Sequence, residues 1–173
     1  MPEEAVLWGL RIGLIVMVIF HVHSAMTLTR MNQRARPIKY QSPRDYIAVS
    51  FASRTMRWTG IIIFLYVIFH LADLTIGASG IAPEQFEYMS VYQNMYYSFQ
   101  REWVVAIYVI SNIALGIHLY HGAWSMFQSM GLNSPTYNGA RKAFAVAFSA
   151  LIIVGNLSFP LAVLFGLMDA PGA

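Results

Sequence analysis

The chain has 173 residues, 57% of them hydrophobic and only 11% charged, with a formal charge of +3 and mean hydropathy +0.52. A soluble domain carries about a quarter charged residues, so this deficit points to a bilayer. There is no cysteine, which excludes disulfides, thiolate zinc sites, iron–sulfur ligation and cysteine nucleophiles and leaves five histidines and oxygen atoms to hold any metal.

The N-terminus, Met1-Pro2-Glu3-Glu4, is acidic where a cleaved signal would be basic. It suits a helix start: Pro2 needs no donor in a first turn, and carboxylates favour the positive end of the dipole. An apolar run of about 20 residues crosses the hydrocarbon core. Such runs occur at about Ala5–Leu28, Trp58–Ile76, Trp103–Phe127 and Ala143–Met168. The first is interrupted by Arg11, His21 and His23, the fourth by Asn156 and Pro160. No internal repeat divides the chain, so residues 1–173 read as one domain. The expected fold is all-α, an integral membrane bundle of four transmembrane helices.

The connections between spans differ in sign. The first, about Arg30 to Arg57, holds Arg30, Arg34, Arg36, Lys39, Arg44, Arg54 and Arg57. The second, about Gly77 to Glu102, sets Glu84, Glu87 and Glu102 against Arg101. The third, about Gln128 to Lys142, adds Arg141 and Lys142. The positive-inside rule places the first and third connections in the cytoplasm and both termini of this chain outside. Nine of the eleven Lys and Arg agree. A cytoplasmic membrane loop explains the basic run better than nucleic acid, and no nucleic-acid partner is expected. Trp8, Trp58, Trp103 and Trp124 fall near span ends, as an aromatic belt would.

Ionisable residues inside a bilayer are costly and mark function. The alternative for a histidine is a neutral ring hydrogen-bonded between helices. At about 100° per residue, His118 stacks with Ser111, Ala114, His121, Gly122 and Ser125, a small or polar stripe. The opposite side carries Val105, Tyr108, Val109, Leu119, Tyr120 and Phe127. His21 stacks with Ser24 and Ala25 and is expected to face the bundle, with His23 facing elsewhere. His70 stacks with Thr59, Ile63, Tyr66, Asp73 and Gly77. From the rise per residue, His21 and His118 lie roughly 12 and 13 Å from the cytoplasmic face, whereas His70 lies roughly 20 Å up its helix. Two level histidines on different helices suit bis-imidazole ligation of haem iron, with His70 left unpaired. No His-Glu-x-x-His occurs and the spans hold almost no carboxylates, which disfavours zinc hydrolysis and di-iron chemistry. No glycine loop of the phosphate-cradling type is present.

Three segments resemble one family. They are Ile19-Phe20-His21-Val22-His23 with the basic stretch Asn32–Tyr40; Ser53-Arg54-Thr55-Met56-Arg57-Trp58-Thr59-Gly60 with Phe69-His70-Leu71-Ala72-Asp73; and Gly116-Ile117-His118-Leu119-Tyr120-His121-Gly122-Ala123-Trp124-Ser125-Met126-Phe127-Gln128. Together they resemble the cytochrome b membrane-anchor subunit of bacterial succinate:quinone oxidoreductase, in its single-chain di-haem form. The resemblance implies a five-helix bundle, haem b between the helices, and electron passage between a partner iron–sulfur subunit and membrane quinone. The quinone implied is menaquinone, and succinate chemistry is implied on a flavoprotein subunit rather than in this chain. It also implies a bacterial cytoplasmic membrane.

This chain begins at what resembles the family's second helix. The resemblance then places His21 and His118 on the haem nearer the cytoplasm. It places His70 on an outer haem whose other ligand belongs to the preceding helix. Arg11 is a candidate for an outer-haem propionate or for snorkelling to the interface. Ser53, Arg54, Arg57 and Trp58 are candidates for a propionate, a quinone or the iron–sulfur subunit, or form an ordinary basic flank. His121 is a candidate for a propionate or a quinone carbonyl, and Asn156 is expected to link helices. Two rival readings are a haem-free structural anchor and a quinol-oxidising cytochrome b of another family.

Overall fold

The computed structural model describes residues 2–35 and 51–172. The chain divides into two compact units, Met1–Asp45 and Tyr46–Ala173. Among the described residues four helices are long and apolar enough to cross a membrane, as expected of an all-α membrane bundle.

The first unit is a single helix, α1 (Pro2–Ala35). It outruns the predicted span because the polar residues after Leu28 still favour helix, and Arg34 in the last turn suits the negative end of the dipole. Its described side chains are exposed or half-buried throughout.

The second unit contains α2 (Phe51–Leu71), which a π-helical turn prolongs through Ala72–Ile76, then α3 (Val91–Phe99), α4 (Glu102–Ser129), a short 3-10 turn at Pro135–Tyr137, and α5 (Asn138–Leu164). The spine is α4. It packs along both α2 and α5. The close approach of α4 to α5 depends on Gly116, where a Cβ would sit 2.0 Å from Ile153 Cδ1.

Three further differences from the sequence expectation shape this unit. First, α2 begins at Phe51 rather than Trp58, because Arg54 and Arg57 are exposed and extend the helix beyond its apolar run. Second, α5 stops at Leu164, short of Met168; Gly166 at φ 66° turns the chain, and the amides of Phe165, Gly166 and Leu167 close onto Leu161, Val163 and Ala162. Third, the connection after Ile76 holds a helix of its own. In α3 the residues Tyr92, Met95, Tyr96 and Phe99 recur at helical spacing, and Phe99 joins Val104, Val105, Tyr108 and Val163 in the hydrophobic core. This short helix packs on α5, on α4 and on the π turn. It closes one end of the bundle over the residues that follow His70.

Candidate functional site

Two histidines of the second unit sit on the seam between α2 and α4, at different heights. At one level His118 lies against Thr59 and Gly60: its Nδ1 is 3.1 Å from Thr59 Oγ1, and a Cβ on Gly60 would lie 3.6 Å from its Cε1. Thr59 is buried, with 4% of its surface exposed. The same hydroxyl lies within reach of the backbone carbonyls of Met56 at 3.0 Å and Thr55 at 3.2 Å, so Thr59 holds the Nδ1 edge of the His118 ring in place.

At the other level His70 Nδ1 is 3.2 Å from Tyr108 Oη. The tyrosine hydroxyl donates to Asp73 Oδ2 at 3.2 Å, so it can only accept from the imidazole. His70 therefore carries its proton on Nδ1 and its lone pair on Nε2, and among the described residues Nε2 has no hydrogen-bond partner. From Tyr108 to His118 is ten residues of α4, about 15 Å of rise. The expectation that His70 and His118 occupy different depths therefore holds within this unit.

Asp73 is fully buried, at 0% exposure, on the π turn. Besides Tyr108 it accepts from Ser98 Oγ at 2.5 Å and pairs with Arg101 Nη2 at 2.6 Å. Arg101 also donates to the carbonyls of Ile81 at 2.6 Å and Ser98 at 3.3 Å, and its guanidinium lies over the Trp103 ring at 5.2 Å. One ion pair thus clasps the end of α2, the following loop, α3 and the start of α4. Aromatic rings surround the clasp. Tyr66 meets Tyr108 edge-on at 5.2 Å, and Phe99 meets it edge-on at 4.8 Å. Between the two histidine levels, Asn156 Nδ2 donates to Asn112 Oδ1 at 2.9 Å, and Asn112 donates to the Tyr108 carbonyl at 2.8 Å. Asn156 links α5 to α4, as expected.

The small stripe predicted beside His118 is not uniform. Ser111 and Ala114 are closed inside the bundle, whereas a Cβ on Gly122 would meet nothing within 4 Å. Tyr108, placed by helical arithmetic on the side away from the ligand stripe, is instead the hub of the His70 level, because α4 is packed on two sides rather than one. His121 Nε2 lies 3.2 Å from Ser125 Oγ, one turn along the same helix. Ser53 is half-buried, and Arg54 and Arg57 are exposed on the first turns of α2. In the first unit His21 and His23 are both exposed, and Arg11 is half-buried with its guanidinium 5.2 Å over the Trp8 ring. Among the described residues no group of three or more His, Asp or Glu forms a cluster able to hold a metal ion.

Arg141 is a further feature that sequence reasoning read only as cytoplasmic charge. It is buried in the first turn of α5, donates from Nη1 to Leu132 O at 2.7 Å and Asn133 Oδ1 at 3.1 Å, and stacks over Trp124 at 4.7 Å. It joins the end of α4 to the start of α5, much as Arg101 joins the elements at the other end. An apolar groove of about 440 Å³ lies among α2, α4 and α5, lined by Phe51, Ala52, Ile113, Ile117, Tyr120 and Ile153, among others.

The family model for the succinate dehydrogenase/fumarate reductase transmembrane subunit matches residues 29–157, about three-quarters of the chain. The chain belongs to that family. No curated protein and no solved structure matches it. As a succinate dehydrogenase/fumarate reductase transmembrane subunit it is a multi-pass membrane component of a larger complex. The matched stretch contains both histidine levels, the Asp73–Arg101 clasp and the basic start of α2, while Arg11 and His21 precede it.

Proposed function

We propose that this subunit carries electrons through haem b between an iron–sulfur subunit and membrane menaquinone. The single observation that best supports this is the fixed tautomer of His70: it gives its Nδ1 proton to Tyr108, whose own proton goes to Asp73, and keeps a lone pair on Nε2. His118 is likewise held at Nδ1 by a hydroxyl, that of Thr59. Histidines that bind metal characteristically donate their other N–H to a fixed acceptor, which sets both tautomer and ring orientation. The residues therefore fit haem as axial ligands, with the one buried carboxylate of the His70 level, Asp73, occupied by Arg101, Ser98 and Tyr108.

In this reading His118 shares one haem with His21. His70 holds a second haem, as in the di-haem form. Haem b, when bound, supplies one-electron redox chemistry. The chain supplies the rest. Thr59 and Tyr108 orient the imidazoles, and the aromatic packing around Tyr108 keeps water from the His70 level. The exposed Arg54 and Arg57, with Ser53, form a basic face that we assign to the iron–sulfur subunit on the cytoplasmic side of a bacterial membrane. Arg11 and His121 are assigned to haem propionates. The groove beside Ile117 and Tyr120 suits an isoprenoid or acyl chain, because its lining is almost wholly apolar. Succinate or fumarate chemistry belongs to a flavoprotein partner.

A haem-free anchor is the second reading, favoured by the closed seam at Gly116 and Ala114, where small residues serve helix packing. A reduced-minus-oxidised spectrum of the purified complex separates the two. A b-type α-band is expected, and His21→Ala and His118→Ala should each remove the same component of it. A complex that is intact and active with no such band overturns the haem reading in favour of the anchor.

A further inference from the structure

The two histidine levels end on different acceptors. At the His118 level the ring meets Thr59, whose hydroxyl otherwise reaches backbone carbonyls of its own helix. From His70 the chain of hydrogen bonds runs to Tyr108 and stops at a buried carboxylate. We infer that Tyr108 and Asp73 are positioning residues for His70, forming a carboxylate–tyrosine–imidazole relay that strengthens His70 as an iron donor and holds the potential of its haem down. The inference rests on the haem reading proposed above.

The physical argument starts at Asp73. At 0% exposure it accepts from three donors: Arg101 on Oδ1, and Ser98 and Tyr108 on Oδ2. Arg101 and Ser98 also fix the carboxylate in place, since the guanidinium is itself tied to two backbone carbonyls and to Ser98 Oγ at 2.9 Å. The oxygen that faces Tyr108 therefore presents a fixed negative end to the phenol. A phenol donating to a carboxylate becomes a better acceptor for the next donor in line, because successive hydrogen bonds polarise one another in a low-dielectric interior. His70 Nδ1–H is that donor. As its proton is drawn toward Tyr108, electron density rises at Nε2, and a stronger imidazole donor favours oxidised over reduced iron. At Thr59 the same geometry lacks the terminal charge, so the polarisation is weaker. The tyrosine is also the one side chain that can complete the relay. Phenylalanine would keep the edge-on packing with Tyr66 and Phe99 and break only the hydrogen bonds.

The test is a potentiometric titration of the purified complex, following each b-type component, in wild type, Tyr108→Phe and Thr59→Val. Tyr108→Phe should move the His70 component to a more positive midpoint and shift its low-spin EPR signal, with the His118 component unchanged. Thr59→Val should move the His118 component by less. Asp73→Asn should reproduce part of the Tyr108→Phe shift, and Asp73→Glu should restore it. Loss of the His70 component alone, with the His118 component retained as evidence of folding, also supports the positioning role. An unmoved midpoint and EPR signal in Tyr108→Phe overturns the relay while leaving the haem reading standing, as does loss of both components together. A wild-type complex without any b-type band overturns the haem reading itself.

Discussion

The two ends of the α2–α4 seam meet the same requirement with different chemistry. Each holds an imidazole by its Nδ1 edge against a hydroxyl. At the Thr59–His118 end that hydroxyl otherwise meets its own helix's carbonyls, which any threonine at that position of an α-helix can reach. The His70 end uses Asp73, a side chain that needs a dedicated partner, Arg101, from beyond the loop. A buried carboxylate is costly unless paired and hydrogen-bonded. The contrast therefore suggests that the charged end is bound more tightly into the fold than the neutral end, and that it does more than hold a ring still.

The largest expected effect breaks the charged end. Arg101→Leu or Asp73→Leu alone should cost about 3–5 kcal/mol of stability by leaving one buried ion without its partner. The double variant should lose less than either single change. Denaturation of the detergent-solubilised subunit measures this, and equal, additive losses would show that the two side chains do not act as a pair.

A smaller effect tests the loop that carries the clasp. Gly77 follows the π turn at φ 72°, and a Cβ there would lie 2.3 Å from the Phe86 ring. Gly77→Ala should cost about 1–3 kcal/mol through backbone strain and overpacking. A change near zero in the same denaturation experiment would mean that the loop adjusts without disturbing Asp73. The smallest effect belongs to the neutral end. Thr59→Val removes one hydrogen bond to His118 and should cost about 0.5–1.5 kcal/mol. A cost matching that of Arg101→Leu would erase the distinction between the two ends.

The same contrast explains what the sequence made legible. The spans, Asn156 as a helix link and the separate depths of His70 and His118 follow from hydropathy and from rise per residue, which are local properties. Thr59 and Asp73 were already visible as residues stacked with His70, but their partners were not. Thr59 turns out to serve His118, because α4 runs beside it at the other level. Asp73 is the only carboxylate deep in the second predicted span, and Arg101 the only cation in the acidic connection. An ionisable residue in a span demands a counter-charge, so that pairing was the available signal. What hid it was α3, whose helical spacing is only nine residues long and sits in a segment rich in polar side chains. Tyr108 was hidden for a different reason. One-face arithmetic fails for a helix with neighbours on two sides, and α4 is such a helix. Arg141, counted as cytoplasmic charge, packs onto Trp124 because an arginine stem and a flat guanidinium lie well on an indole.

The most direct measurement of the account compares reduced-minus-oxidised spectra of the purified complex carrying His118→Ala with those of the complex carrying His70→Ala. If the proposed haem reading holds, each change should remove a different b-type component and leave the other intact, because the two histidine levels lie about 15 Å apart along α4. Removal of one and the same component by both changes, or of none by either, would contradict it.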